Sequence, residues 1–328
     1  MMRAMVLEKP GTELRLVEAS QPAPKDHQVV IKVQACAVCR TDLHIVDGEL
    51  PDIRYPVIPG HQVVGEVTAI GASAELTVGA RVGVAWLGWT CGECEYCASE
   101  RENLCDRARF NGYHVDGGYA GYMLADSRYC FSLDSSEPAE QIAPLLCGGL
   151  IGYRCLRLTG DAEKVGIYGF GSAAHLITQA AIHQGREIYA FTRPGDTAAA
   201  AFAGELGAAW VGGSDQAAPE PLDAAIIFAP VGALVPKALK DLKKGGSVIC
   251  GGIHMSDIPG FPYADLWGER QIRSVANLTR RDGNEFLKLA RDAKITAQIQ
   301  TYALEDANAA LAALRTGAVT GTAVLVID

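Results

Sequence analysis

The chain has 328 residues, 49% of them hydrophobic and 20% charged, with 36 glycines, which is the composition of a globular protein long enough for two domains of ordinary size. A net charge of −9 without any dense Lys/Arg tract makes nucleic acids and anionic membrane surfaces unexpected partners. The opening "MMRAMVLEKPGTELRL" lacks a signal-peptide apolar region and no 18-residue apolar run follows, so a cytoplasmic protein is expected.

That opening reads as a strand and a Pro-Gly turn. "HQVVIKVQACAVC", "HQVVGEVTAIG" and "GARVGVAWLG" alternate, are rich in β-branched residues and carry Gly at their ends, so residues 1–147 read as a β-rich region of short strands. Around residue 165 the texture changes. "KVGIYGFGSAAHLITQAAIHQG" predicts a strand, a Gly-rich turn and a helix. "REIYAFT" is a second strand, and "TAAAAFAGELGA" a second helix stopped by Gly207. The strand "PLDAAIIFAP", the helix "VPKALKDLKKGG" and the strand "SVICGG" continue the alternation, which is the pattern of a parallel sheet with helices on both faces. After "QIRSVANLT", the helices "GNEFLKLARDA" and "ALEDANAALAALRTG" and the strand "GTAVLVID" form a tail too short for a domain of its own.

Gly169, Gly171 and Ala174 make G-x-G-x-x-A between an apolar strand and a helix. The first Gly permits the tight turn, the second lets a pyrophosphate approach the backbone, and the small third residue lets helix and strand pack closely. The tip of the next strand reads Phe191, Thr192, Arg193, with Asp196 only after Pro194 and Gly195. A hydroxyl beside an arginine suits a 2′-phosphate better than a bare ribose, which leans the cofactor toward NADP(H); a solvated turn arginine is the plainer reading.

Ten cysteines in a chain expected to be cytosolic favour metal ligands over disulfides. Cys91, Cys94, Cys97 and Cys105 lie within fifteen residues and supply the four thiolates of a closed, structural zinc site. A nucleic-acid-binding zinc ribbon would need basic flanks, and this stretch holds Glu93, Glu95, Glu100 and Glu102. Cys39, His61 and Cys147 are a second set, with the composition of a catalytic zinc site whose fourth position is open. Their separation in sequence means spacing does not establish the site, and a lone His or Cys on an apolar segment is more often core. Cys36, Cys130, Cys155 and Cys250 read as small buried hydrophobes.

"CRTDLH", "PGHQVVGEV", "CGECEYCASERENLC", "GGYAGYMLAD", "APLLCGGLIGYR" and "GFGSAAH" occur in the order found in zinc-dependent medium-chain alcohol dehydrogenases, and the chain resembles that family over essentially its whole length. The resemblance implies an α/β protein in which a GroES-like, β-rich catalytic domain, residues 1–149 plus 280–328, carries both zinc sites and is interrupted by a Rossmann domain, residues 150–279. It implies two zinc ions, a catalytic one on Cys39, His61 and Cys147 and a structural one on the four clustered cysteines, together with NAD(P)H. It also implies hydride transfer between the cofactor and an alcohol or the corresponding aldehyde or ketone. Thr41 matches the hydroxyl that takes the substrate proton, His44 the end of the proton relay, Arg40 a basic contact to the cofactor pyrophosphate, and Trp86 an aromatic lining the substrate pocket. Without the motif these four read as an N-cap, a surface residue, a salt-bridge partner and core. A homodimer or homotetramer follows from the family, with Ser274–Leu278 extending the sheet across a two-fold axis.

Three features depart from the family pattern. Gln62 replaces the glutamate of "GHE" beside the zinc, Thr322 stands where relatives often carry an arginine on the pyrophosphate, and "GGSDQAAPEPLDAAIIF" is short enough to trim one Rossmann helix. Gln62 and Thr322 keep open a second reading, a catalytically weak NADP(H)-binding sensor or structural protein. A zinc-free quinone or enoyl reductase of the same superfamily would lack both cysteine sets. The joint presence of Cys39, Thr41, His44, His61 and Cys147 favours an enzyme.

Overall fold

A computed structural model describes residues 1–133 and 136–328. The chain divides into two units: Met1–Cys147 with Leu278–Asn284 and Thr296–Asp328, and Gly148–Asn277 with Glu285–Ile295.

In the first unit, β1 (Met2–Val6) and β2 (Arg15–Ala19) form an antiparallel pair. The longest strand, β3 (Gln28–Val38), organises the main sheet. It is buried along nearly its whole length apart from Lys32, which fits its run of Val, Ile, Ala and Cys. The helix α1 (Arg40–Asp47) follows directly and stops at Gly48, whose φ of 73° is the left-handed cap glycine tolerates best. One edge of β3 pairs antiparallel with β4 (Val63–Ile70), which continues to β5 (Arg81–Val84). "GARVGVAWLG" is thus two strands rather than one: it breaks at Ala85–Trp86, and β6 (Leu87–Trp89) pairs instead with β7 (Arg109–Phe110). Between them the cysteine-rich segment carries the short α2 (Glu95–Ala98). The other edge of β3 takes β8 (Tyr122–Asp126) along Gln28–Lys32, while β9 (Cys130–Ser132) lies on β5. Val29, Ile31, Val33, Val63, Val67 and Val82 form the centre of this core. The unit's first pass ends with the short α3 (Ala139–Ile142).

The second unit opens with α4 (Gly148–Leu158) and alternates β10 (Lys164–Tyr168), α5 (Ser172–His183), β11 (Glu187–Thr192), α6 (Thr197–Glu205) and β12 (Trp210–Gly213). It continues with β13 (Leu222–Ile227), α7 (Leu234–Asp241), β14 (Leu242–Cys250), α8 (Tyr263–Leu266) and β15 (Gln271–Ser274). All pairings are parallel and the order is β12-β11-β10-β13-β14-β15. The order reverses between β10 and β13, the switch point at which such sheets bind dinucleotides. Among the described residues no helix separates β12 from β13, as the short segment 212–228 suggests. One expectation is corrected: the helix over "VPKALKDLKKGG" ends at Asp241, and "LKKGG" belongs to β14. Pairing of Leu242 with Leu222 and the φ of 77° at Gly245 override the helical preference of the leucine and lysines.

The tail begins with α9 (Arg280–Asp292). Residues 285–295 cluster with the second unit, although the sequence reading groups 280–328 with the first. The reason is Phe286, fully buried against Gly149 of α4, where a Cβ would collide with its ring. Then β16 (Ile299–Ala303), α10 (Ala307–Thr316) and β17 (Thr322–Val326) complete the first unit. β17 pairs antiparallel with Ala35–Val38 and parallel with β16, filling the remaining edge of β3. Among the described residues no helix is long and apolar enough to cross a membrane.

Candidate active site

The end of β3, the loop before β4 and the last residue before α4 bring Cys39, His61 and Cys147 together. The Cys39 Sγ lies 3.3 Å from His61 Nε2 and 4.0 Å from Cys147 Sγ. All three ligand atoms fall within 4.8 Å of one another, and among the described residues no fourth His, Cys, Asp or Glu joins them. Cys39 is the N-cap of α1, displacing Thr41 from the capping role, and the third helical residue, Asp42, is built into the site. Its Oδ2 accepts the Cys39 backbone N–H at 2.9 Å, and its Oδ1 faces His61 Nδ1 at 3.3 Å. Both side chains are buried, and neither of those two atoms meets hydrogen-bond geometry with any partner, so they face each other as an ion pair. One carboxylate therefore orients two ligands, holding a proton on Nδ1 so that Nε2 turns toward the thiols.

Zinc bonds of about 2.3 Å to sulfur and about 2.0 Å to nitrogen at tetrahedral angles require S···S near 3.8 Å and S···N near 3.5 Å. The separations from Cys39, 3.3 Å to His61 and 4.0 Å to Cys147, lie close to these values. Its electrostatics agree. The hydrogen bond to Cys147, then burial, push the Cys39 thiol well above its ordinary range. Burial is the largest influence on His61 and pulls it down, but Cys39 and Asp42 outweigh it and push the ring up to about 10. A dication among these groups removes the reason for both shifts, because it stabilises the thiolate and takes the Nε2 lone pair.

Cys91, Cys94, Cys97 and Cys105 likewise fall within 4.8 Å of one another, with Cys91 Sγ 3.9 Å from Cys97 and 3.6 Å from Cys105. The Glu93 backbone N–H pulls the Cys91 thiol down to about 6. The Cys97 N–H also acts to lower Cys94, but desolvation and the neighbouring thiols push it up to about 11. Four thiols this close cannot all ionise unless a cation joins them, and one that does would fill its whole coordination sphere from the protein.

Thr41 and His44 stand three residues apart on α1, one helical face, both half-buried, and His44 Nδ1 meets Glu49 Oε2. Arg40, exposed in the first turn, forms no ion pair among the described residues. Trp86 is core and ligand neighbour at once: its ring meets His61 edge-on at 4.8 Å and stacks on Phe110 at 5.2 Å and Tyr113 at 5.4 Å. Gln62 is buried, its Nε2 donating to the Ala37 carbonyl at 3.2 Å, and Thr322 is buried in β17. The remaining cysteines divide: Cys36, Cys155 and Cys250 are buried, Cys130 half-buried.

In the second unit, Gly169 turns the chain from β10 toward α5 with φ of 92°, and a Cβ there would lie 2.7 Å from the Ala229 backbone nitrogen. Gly171 is the N-cap of α5 and nothing lies within 4 Å of where its Cβ would be, while Ala174 is fully buried. At the tip of β11 the Thr192 hydroxyl is buried and reaches the Gly212 carbonyl at 3.4 Å. The Arg193 side chain is 84% exposed and lies 3.8 Å from Asp196, which caps α6 by accepting from the Ala199 N–H. Asp42 and the aromatic pair Phe110 and Tyr113 received no role from the sequence. The signal for Asp42 was the acidic residue at the third helical position, which reads as a simple cap.

The Alcohol dehydrogenase GroES-like domain family matches residues 25–135. The chain is 44% identical over 339 residues to a probable alcohol dehydrogenase, AdhA, of Mycobacterium tuberculosis, covering 99% of this chain and 97% of that protein. It is 34% identical over 341 residues to an alcohol dehydrogenase of Geobacillus stearothermophilus, covering 100% of both. Among solved structures, a cinnamyl alcohol dehydrogenase of Sorghum bicolor superposes with a TM-score of 0.89 at 25% identity, over 100% of this chain and 98% of that one. With both sets brought together where each could hold a metal ion and similarity running end to end, the chain belongs to the zinc-dependent medium-chain alcohol dehydrogenases.

Proposed function

We propose that the protein interconverts small alcohols and their aldehydes or ketones, with Cys39, His61 and Cys147 holding the catalytic zinc and Cys91, Cys94, Cys97 and Cys105 a structural one. The observation that carries the reading is the close-set trio around buried His61, with one carboxylate aimed at two of its members. Zinc held there supplies Lewis acidity to the alcohol oxygen, and NAD(P) supplies the hydride acceptor. The chain's own residues handle the proton. Thr41 presents its hydroxyl one turn before His44, and with Glu49 on Nδ1 it is Nε2 of His44 that takes the proton and passes it to solvent. Trp86 closes the site against His61 and keeps water from the ligand ring.

The first unit is the catalytic domain in this reading and the second binds the dinucleotide, its pyrophosphate over Gly171 and the N-terminus of α5, where the missing Cβ leaves room. Arg40 adds a cationic contact. At the adenosine end Arg193, with Thr192 beside it, supports NADP(H), although the buried Thr192 hydroxyl leaves the guanidinium as the principal contact. A homodimer is supported by β15, an edge strand with exposed positions, and by the exposed Tyr263 and Trp267 on the same unit.

Nicotinamide absorbance followed with a panel of alcohols and aldehydes, NAD and NADP side by side, tests the reading. Zinc-dependent turnover with NADP preferred is expected. Zinc loading and cofactor binding without turnover of any substrate would instead favour the sensor.

A further inference from the structure

Three buried polar atoms of the first unit meet no partner in hydrogen-bond geometry around the Asp42 carboxylate: Asp42 Oδ1, His61 Nδ1 and the Tyr119 hydroxyl. The first two face each other at 3.3 Å. Tyr119, 0% exposed, is the third residue of "GGYAGYMLAD", a stretch that contributes no ligand to either metal set. Its segment is laid against the one leading into His61. The Gly117, Gly118 and Tyr119 N–H groups donate to the Ile58, Gly60 and Pro59 carbonyls at 2.7, 2.9 and 3.0 Å. Glycine permits this approach: a Cβ at Gly117 would lie 2.0 Å from the Gly60 carbonyl oxygen, and one at Gly60, where φ is 99°, would lie 2.4 Å from the Tyr119 ring. The ring therefore rests on the residue immediately before the His61 ligand. The Met5 N–H donates to the Tyr119 carbonyl at 2.9 Å and holds the residue from its other side.

The hydroxyl is within reach of the Asp42 carboxylate, with Cys36 and Cys39 also nearby. Burial, then the charge of Asp42, pushes the phenol well above its ordinary range, so it stays protonated and can donate. Among these neighbours the carboxylate is the strongest acceptor. Cys36 is a buried thiol that itself donates to the Ala37 carbonyl at 3.7 Å, and the Cys39 sulfur is turned toward His61 and Cys147. We infer that Tyr119 is a positioning residue of the metal centre: its hydroxyl donates to Asp42 and, together with the Cys39 N–H and His61 Nδ1, fixes the plane of the carboxylate that orients both ligands. The inference rests on the zinc reading of the trio above. A carboxylate has room for about four donors, so a phenol beside the imidazole adds to its partners without displacing one.

The test is Tyr119→Phe, which keeps the ring on Gly60 and removes the hydroxyl alone. In competition against a chromophoric chelator, the zinc affinity of the trio should fall about fivefold, the worth of one ordinary hydrogen bond, while the four-cysteine site holds its zinc as before. The ligand-field bands of cobalt at the trio should shift as well, a change that general destabilisation does not produce. In the Asp42→Asn background the same substitution should cost nothing further, because the carboxylate it served is gone. Zinc held by Tyr119→Phe as tightly as by the wild type, or an equal loss with and without Asp42, overturns the inference. If the wild-type trio takes up no metal, the zinc reading fails separately, and urea midpoints of the wild type, the two single variants and the double variant still decide the contact. Non-additive effects of the two substitutions support it, and additive effects refute it.

Discussion

Asp42→Asn isolates what the buried carboxylate contributes. The amide keeps the volume but has a single acceptor oxygen: with that oxygen on the Cys39 N–H, now at 2.9 Å, its NH2 faces His61 Nδ1, now at 3.3 Å, and the charge is lost. Hydrogen bonds to a charged acceptor are worth roughly 1.5–3 kcal/mol and are about twice as strong as neutral ones. Replacing the charged acceptor at His61 by an amide N–H therefore removes roughly 1.5–3 kcal/mol from the state in which Nε2 is committed to a metal, about tenfold or more in affinity. Asp42→Ala goes further, because it also strands the Cys39 N–H, and should reach the upper end of the roughly 10- to 100-fold range seen when outer partners of metal ligands are removed. Competition against a chromophoric chelator at pH 7 measures the affinity of the trio, with the four-cysteine site as an internal reference on the same chain. An Asn variant that holds zinc at the trio as tightly as the wild type refutes the role assigned to Asp42. A cobalt-substituted protein adds a readout that mere destabilisation would not move, since a reoriented imidazole shifts the visible ligand-field bands.

Cys39→Ser should abolish turnover and release the zinc of the trio while the four-cysteine site keeps its own, as metal analysis per chain would show; retained activity contradicts the ligand assignment. Gly169→Ala forces a Cβ into φ of 92° and toward the Ala229 backbone. A strain of about 1–2 kcal/mol is expected, read as a lower melting temperature and a dinucleotide Kd raised at least tenfold, and unchanged cofactor binding would count against the turn's role. His175, buried in α5 beside Phe202, has its pKa lowered by burial from 6.5 to about 4. Between those values the unfolded chain binds more protons than the folded one, so stability falls as pH drops from 6.5 toward 4, by up to about 3 kcal/mol. His175→Gln should flatten that part of the denaturation profile, and an identical pH slope in the variant rules the contribution out.

How much of this was readable in the sequence depended on distance along the chain. The four-cysteine cluster declared itself because all its ligands fall within fifteen residues of one segment. The trio did not, since 22 residues separate Cys39 from His61 and 108 separate it from Cys147. Only the meeting of β3, the loop before β4 and the residue before α4 gives those three a common centre. Asp42 carried no role in "CRTDLH", because its second partner, His61, belongs to another element. Trp86 could be taken as core or as part of a site, and it is both. Local composition misled at "LKKGG", where strand pairing decides, and it was silent about Tyr119, whose ring meets Gly60 and whose hydroxyl reaches Asp42 only in the folded unit.

Gln62 illustrates why a departure from a motif needs the fold before it can be weighed. Its amide nitrogen donates to the Ala37 carbonyl, while its own backbone carbonyl accepts from the Ala37 N–H, so the residue is tied to β3 from both ends. A carboxylate in the same rotamer would face that carbonyl acceptor to acceptor, and the conflict would be buried, where an unpaired polar group costs most. Charge balance points the same way. Two thiolates neutralise a zinc dication, and Asp42 already adds one buried negative charge beside His61. A glutamate at 62 would add a second, whereas glutamine leaves the net charge of the site unchanged and secures β3, the strand that leads into Cys39. The substitution is therefore compatible with a working metal centre: it costs a charge the site can do without, and the hydrogen bond it gains holds the first ligand's strand in place.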